Sequence, residues 1–175
     1  AVVHSHRSLL SAITHGVSIP HYGVFSQIAR FGRLVLKYRL RVPGAVFRPI
    51  TSMSPAPLHL LLGFGSLFGA LFLGGRFVIC ESFHPGRVLE LIEKEKVGFL
   101  VISPTLLFAL LKSRDFRKRD LSSLWIMMIT SALCPRELAA RAEREFRCPV
   151  LIGFGATELG GSAVQTNVFD SRKQR

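Results

Sequence analysis

From Phe77 onward, short apolar runs and amphipathic runs alternate strictly, and this narrows the possible folds more than any other feature of the chain. Phe77–Cys80 reads as a strand, and Pro85–Lys96 as a helix with Val88, Leu91 and Ile92 turned inward. The strand Gly98–Ser103, a helix opening at Pro104 and the strand Leu124–Ile129 come next. A helix over Pro135–Phe146 and the strand Val150–Ile152 complete the series. Proline suits a helix start, because the N–H it lacks has no intrahelical partner there. Nearly continuous apolar strands joined by helices predict an α/β fold with a mostly parallel sheet flanked by helices. In such sheets ligands collect where strands end and helices begin.

The stretch before Phe77 is less regular. Leu9, Leu10, Ile13 and Val17 recur at helical spacing, so a helix is expected over His6–Val17, with Ser5 as its cap. Between residues 24 and 41, Arg30, Arg33, Lys37 and Arg41 fall on one side of a helical wheel. Val24, Ile28, Phe31, Val35 and Tyr38 fall largely on the other. This basic segment suits an ordinary surface helix, a peripheral contact with an anionic membrane, or a place near a polyphosphate. Pro43-Gly44 marks a turn. Pro49–Pro57 is expected to be an irregular loop delivering His59 to the mouth of an apolar helix. The apolar run Leu58–Gly75 is just long enough for a membrane span, which takes about 20 residues. Its glycines and the strand that follows favour a buried helix packed on the sheet.

Hydrophobic residues make up 49% of the 175 and charged residues 19%, a low charge for a self-contained soluble domain. The opening Ala1-Val2-Val3-His4 and the ending Ser171-Arg172-Lys173-Gln174-Arg175 add to the expectation of a piece of a larger domain. The net charge of +12 is lopsided, with no Asp or Glu before Glu81. No zinc finger, basic zipper or aromatic RNA-binding signature accompanies it, so nucleic acid is not the expected partner. Cys80, Cys134 and Cys148 are odd in number and widely spaced, which indicates neither a disulfide framework nor a zinc site. A reducing intracellular compartment is the simpler expectation. His4, His6, His15, His21 and His84 lack zinc-ligand spacing.

The last expected strand runs into Gly153-Phe154-Gly155-Ala156-Thr157-Glu158-Leu159-Gly160-Gly161. Four glycines in nine residues let the backbone approach a bound group closely. A threonine hydroxyl can donate to a phosphate oxygen, and a glutamate is a hard ligand of the kind Mg²⁺ accepts beside phosphates. A glycine-rich turn carrying an exposed glutamate is the other reading of the same residues.

Gly153-Phe154-Gly155-Ala156-Thr157-Glu158 resembles the tyrosine-glycine-x-threonine-glutamate motif of the adenylate-forming enzymes, which include acyl-CoA synthetases, 4-coumarate-CoA ligases and luciferases. Val2-Val3-His4-Ser5-His6-Arg7-Ser8-Leu9-Leu10 resembles the segment after that family's phosphate loop. Pro57-Leu58-His59 resembles its proline-leucine-x-histidine segment. Ser103-Pro104-Thr105 is similar to its proline-threonine turn, and Ser131-Ala132-Leu133-Cys134-Pro135-Arg136-Glu137-Leu138 to its small-residue turn before a helix. These segments occur in family order from end to end. Three departures stand out: Phe154 replaces a tyrosine, Thr130-Ser131 stands where glycines are common, and Ser5 replaces a threonine.

The resemblance implies the α/β N-terminal domain of such an enzyme, with residues 1–175 forming part of the AMP-binding domain. It also implies an upstream phosphate loop and a C-terminal domain beyond this sequence. Thr157 would contact the α-phosphate of ATP or of the acyl-adenylate, and Glu158 would ligate Mg²⁺. Gly153, Phe154, Gly155 and Ala156 would border the nucleotide. His59 would lie near the carboxylate, though a core histidine is an equal reading, and Ser131 and Ala132 would line the pocket floor. The implied reaction activates a fatty or aromatic carboxylate as its adenylate and transfers it to coenzyme A. The alternative function is a non-catalytic relative acting as a binding or membrane-surface module.

Overall fold

The computed structural model describes residues 49–167 continuously, together with the isolated residues 5, 7, 11, 32 and 36. Apart from those five positions, the expected first helix, the basic segment 24–41 and the Pro43-Gly44 turn lie outside the described residues.

Among the described residues, six strands form one sheet. They are β1 (Thr51–Met53), β2 (Arg76–Val78), β3 (Phe99–Ile102), β4 (Ile126–Ile129), β5 (Val150–Ala156) and β6 (Gly161–Gln165). Their spatial order is β2-β1-β3-β4-β5-β6. The first five pair in parallel, and β6 runs antiparallel to β5. Four helices connect the parallel strands: α1 (Leu61–Phe72), α2 (Pro85–Lys94), α3 (Pro104–Lys112) and α4 (Arg136–Phe146). The expected alternation from Phe77 to Ile152 is therefore present, with end shifts of a residue or two except in β5, which runs four residues past Ile152.

Right-handed crossovers are almost invariant between parallel strands. The step from β1 to β2 runs one way along the sheet, and the three later steps run the other way. This places α1 on one face and α2, α3 and α4 on the opposite face. In agreement, α2 packs on α3 and α3 on α4, while α1 packs on β1 and β2 and touches β6. The core lies between the sheet and the three-helix layer. Leu100, Ile102, Met127 and Ile129 point from the sheet into it, against Val88, Ile92, Leu107, Leu110 and Phe146. Full burial of each such side chain is worth about 1.5–3 kcal/mol. Phe116 meets Phe146 edge-on, with ring centroids 5.0 Å apart, and joins the turn after α3 to the end of α4.

Two expectations need correction. Pro49–Pro57 is not an irregular loop throughout, because Thr51–Met53 forms an interior strand between β2 and β3. Its two polar residues hide it from any hydrophobic pattern. They are nonetheless buried, and Oγ1 of Thr51 accepts from Arg76 Nε and Nη2. The apolar run Leu58–Gly75 contains a helix of 12 residues, and it is not buried all round. Gly63 and Ala70 pack inward, whereas Phe68, Leu71 and Phe72 are exposed. No helix among the described residues is long and apolar enough to cross a membrane.

Candidate active site

Parallel strands deliver their C-terminal ends to one edge of the sheet, and the loops there form the natural ligand rim. The chain turns in opposite directions after β1 and after β3, which are neighbours, so a switch in strand order falls between them.

After β1, the buried Ser54 and Ala56 lead into a tight turn in which the Leu60 N–H donates to Pro57 O at 3.1 Å. His59 stands exposed on that turn. After β3, Ser103 caps α3, its Oγ accepting from the Leu106 N–H at 3.5 Å. The hydroxyl is thereby committed to the helix. After β4, the Thr130 N–H donates to Ile102 O at 3.1 Å and extends the ladder by one bond. Ser131 then takes φ +74°, a left-handed conformation that glycine adopts far more cheaply. That explains a glycine preference at this place and turns Ala132 and Leu133 outward, Leu133 being 94% exposed. Cys134 follows, and burial pushes its thiol up, so it stays protonated at neutral pH.

The segment after Ile152 differs from the expected loop. β5 continues to Ala156 and folds back as a hairpin onto β6, with Phe154 opposite Val164 and Ala156 opposite Gly161. A register shift at Phe154/Gly155 bends the ribbon. At its base Thr166 locks the hairpin: Oγ1 accepts from the Ile152 N–H at 2.9 Å, and its own N–H donates to Ile152 O at 3.0 Å. At its tip Thr157–Leu159 form one 3₁₀ turn, closed by the Gly160 N–H donating to Thr157 O at 3.0 Å. Gly160 and Gly161 have φ +75° and +148°, so the return of the chain requires glycine.

Thr157 and Glu158 are therefore both exposed on a short, backbone-closed tip. Neighbouring strands lie about 4.8 Å apart. The hairpin thus adjoins the Ser131-Ala132 turn, because β4 and β5 are neighbours. His59 lies on the same edge but beyond β3, since β1 is about 10 Å from β4 and about 14 Å from β5 at that spacing. Ile129 pairs with Ile152, so Ser131 falls beside Phe154 near the base of the hairpin, Thr157 and Glu158 lie three and four residues farther along the ribbon, and His59 is a separate point along the rim. Sequence reasoning missed β6 and Thr166. The alternation around Val164 was the available signal, weakened by the flanking Gly161 and Ser162.

The fold defines an α/β protein with its ligand rim at the carboxyl ends of parallel strands. The AMP-binding enzyme family model matches residues 1–175, and the chain belongs to that family. It is 33% identical over 119 residues to 4-coumarate–CoA ligase-like 5 of Oryza sativa subsp. japonica, covering 67% of this chain and 22% of the relative. It is 34% identical over 92 residues to the 2,3-dihydroxybenzoate-AMP ligase of Bacillus subtilis, covering 53% of this chain and 17% of that enzyme. The matched stretches thus span about a fifth of the length of these curated relatives. Its fold is similar to the N-terminal domain of FACL13 from Mycobacterium tuberculosis, with a TM-score of 0.75 at 18% identity, covering 99% of this chain and 38% of that one.

Proposed function

We propose that this chain supplies the central sheet and ligand rim of an ATP-dependent acyl- or aryl-CoA ligase. The observation that carries the reading is the hairpin at the carboxyl edge of a parallel sheet, whose tip presents Thr157 and Glu158 and whose base adjoins the left-handed turn at Ser131. Family membership supports the use of ATP and coenzyme A. The names of the relatives support a carboxylic acid as the third substrate.

In the first step the substrate carboxylate attacks the α-phosphorus of ATP, and pyrophosphate leaves. Orientation and charge neutralisation dominate such transfers. The Thr157 hydroxyl would donate to an α-phosphate oxygen and hold the reacting phosphorus in line. Glu158 fits Mg²⁺ by its chemistry, since it is an exposed hard-oxygen donor with no ion pair among the described residues. Mg²⁺ commonly takes one or two carboxylates and completes its shell with phosphates and water, and when bound it would neutralise phosphate charge. The described residues contain no cluster of three or more metal-ligating side chains, so the substrate phosphates would supply the rest. Phe154 offers a flat apolar wall at the nucleotide border, paired across the hairpin with Val164. Ser131 and Ala132 line the adjoining rim, and His59 stands where the carboxylate would approach. The exposed Leu133 and Phe154 suit a fatty or aromatic acid. The free thiols of Cys80, Cys134 and Cys148 fit a reducing compartment.

The upstream phosphate loop and the C-terminal domain that the resemblance implies are not among these 175 residues. The reading therefore assigns turnover to a longer polypeptide and negligible turnover to this chain alone. Carboxylate-dependent pyrophosphate release is the test. Glu158→Gln in the longer polypeptide should lower kcat by about 100-fold, the usual effect of losing a transition-state charge partner. An unchanged rate would remove Glu158 from the site, and robust release by the isolated 175 residues would overturn the division of labour.

A further inference from the structure

The carboxyl ends of α3 and α4 carry a basic surface that the ligase reading does not use. The Phe116–Phe146 ring contact brings these ends together. Arg117 follows Phe116 and Arg147 follows Phe146, so both arginines stand on one rim with Arg114 and Arg144, all four exposed. None of the four makes an ion pair among the described residues. Of the acids around the rim, Asp115 is engaged by Lys118 at 3.0 Å and Glu93 by Arg119 at 3.1 Å, and the four arginines outnumber Glu143 and Glu145 at the end of α4. Complementing the helix dipole explains a cation in the last turn, such as Lys112 or Arg144. It does not explain Arg114 and Arg117, which lie beyond the end of α3. Nor does it explain Arg147, whose left-handed φ of 54° glycine would adopt without strain.

We propose that this rim docks on an anionic lipid surface. Two observations favour a bilayer over a nucleic acid. Phe108 is half exposed one turn before the carboxyl end of α3, an apolar group suited to the headgroup boundary. Its ring also has the Lys112 ammonium 4.4 Å from its centroid, so that face is not free to stack on a base. Helices that connect parallel strands run opposite to them, so the rim lies at the amino-terminal edge of the sheet. The candidate active site lies at the other edge. Docking would thus leave the ligand rim open to solution.

Vesicle co-sedimentation of the 175-residue chain tests this, with phosphatidylserine-rich against pure phosphatidylcholine vesicles. The chain should bind the anionic vesicles only, and binding should weaken with added salt. Each basic residue near such a surface contributes about fivefold in partitioning, so the triple variant Arg114→Gln/Arg117→Gln/Arg147→Gln should lose on the order of 100-fold. The Arg30→Gln/Arg33→Gln/Lys37→Gln variant, altered in the other basic segment, should keep most of the binding. Matching circular dichroism secures the comparison. If the triple variant does not fold, the Arg114→Gln/Arg117→Gln pair, confined to the connection after α3, should still lose about 25-fold. Unaltered binding by the rim variants, loss of binding in the 30/33/37 variant instead, or preference for an oligonucleotide over the anionic vesicles would each overturn the proposal.

Discussion

The guanidinium of Arg76 donates from Nε and Nη2 to Oγ1 of Thr51, at 3.3 and 3.1 Å, across the pairing of β2 with β1. Nη2 also donates to Glu95 O at 3.4 Å, so one side chain ties two strands to the end of α2. Thr51 is buried and Arg76 exposed, which means the arginine can rehydrate when the contact is lost. Thr51→Val keeps shape and strand propensity while removing the acceptor. It should cost about 1 kcal/mol, read as a lower urea midpoint with an unchanged slope. In a double-mutant cycle with Arg76→Ala, most of that loss should appear as coupling between the two sites.

The glycines of α1 make a second test. Gly65-x-x-x-Gly69 has the spacing of a close helix contact, yet a Cβ at either position meets nothing within 4 Å among the described residues. Gly63 makes the close approach, where a Cβ would lie 2.9 Å from Ala56 O. Gly69→Ala should therefore stabilise the protein by up to about 1 kcal/mol through helix propensity. Gly63→Ala should destabilise it by about 1–3 kcal/mol, because backbone must move. Opposite shifts in thermal midpoint are the expected result.

These contacts also show what could be read from the chain in advance. The helices and strands after Phe77 were legible because each is set by local apolar spacing and a proline start. The shared edge of His59, Ser131 and Thr157 followed from parallel strands alone. β1 was not legible: Thr51-Ser52-Met53 has one apolar side chain, and a partner 25 residues away satisfies its threonine. The step from β2 over β1 to β3 is equally non-local, and it sets how far His59 stands from the hairpin. Gly153–Ala156 read as a loop because glycine weakens any strand signal, while the bonds to Thr166 and β6 come from later in the chain.

Glu93 gives a pH dependence of known sign. Its carboxylate accepts from the Asp120 N–H at 2.9 Å and from Arg119 Nη1 at 3.1 Å. The backbone N–H first, and the guanidinium second, hold its pKa below the ordinary glutamate value. A lowered folded-state pKa contributes stability above the unfolded value, and this is lost as pH falls through the folded value. Glu93→Gln should lower the thermal midpoint at neutral pH. The gap from the parent protein should close progressively in acid. A gap that persisted or widened there would show that the carboxylate charge is not what ties α2 to the connection before β4.

Ser131 sets the geometry of the turn beside the hairpin base. Its φ of +74° is uncommon for a residue with a Cβ, and such strain is worth on the order of 1 kcal/mol. Ser131→Gly should remove the strain and raise stability by about 0.5–1 kcal/mol, partly offset by the greater freedom of glycine in the unfolded chain. Ser131→Val should destabilise by more than 1 kcal/mol, since a β-branched side chain tolerates this region poorly. Urea midpoints of the three proteins, measured together, decide it. A Ser131→Gly variant less stable than the parent would mean that the serine hydroxyl holds the turn and outweighs the backbone strain.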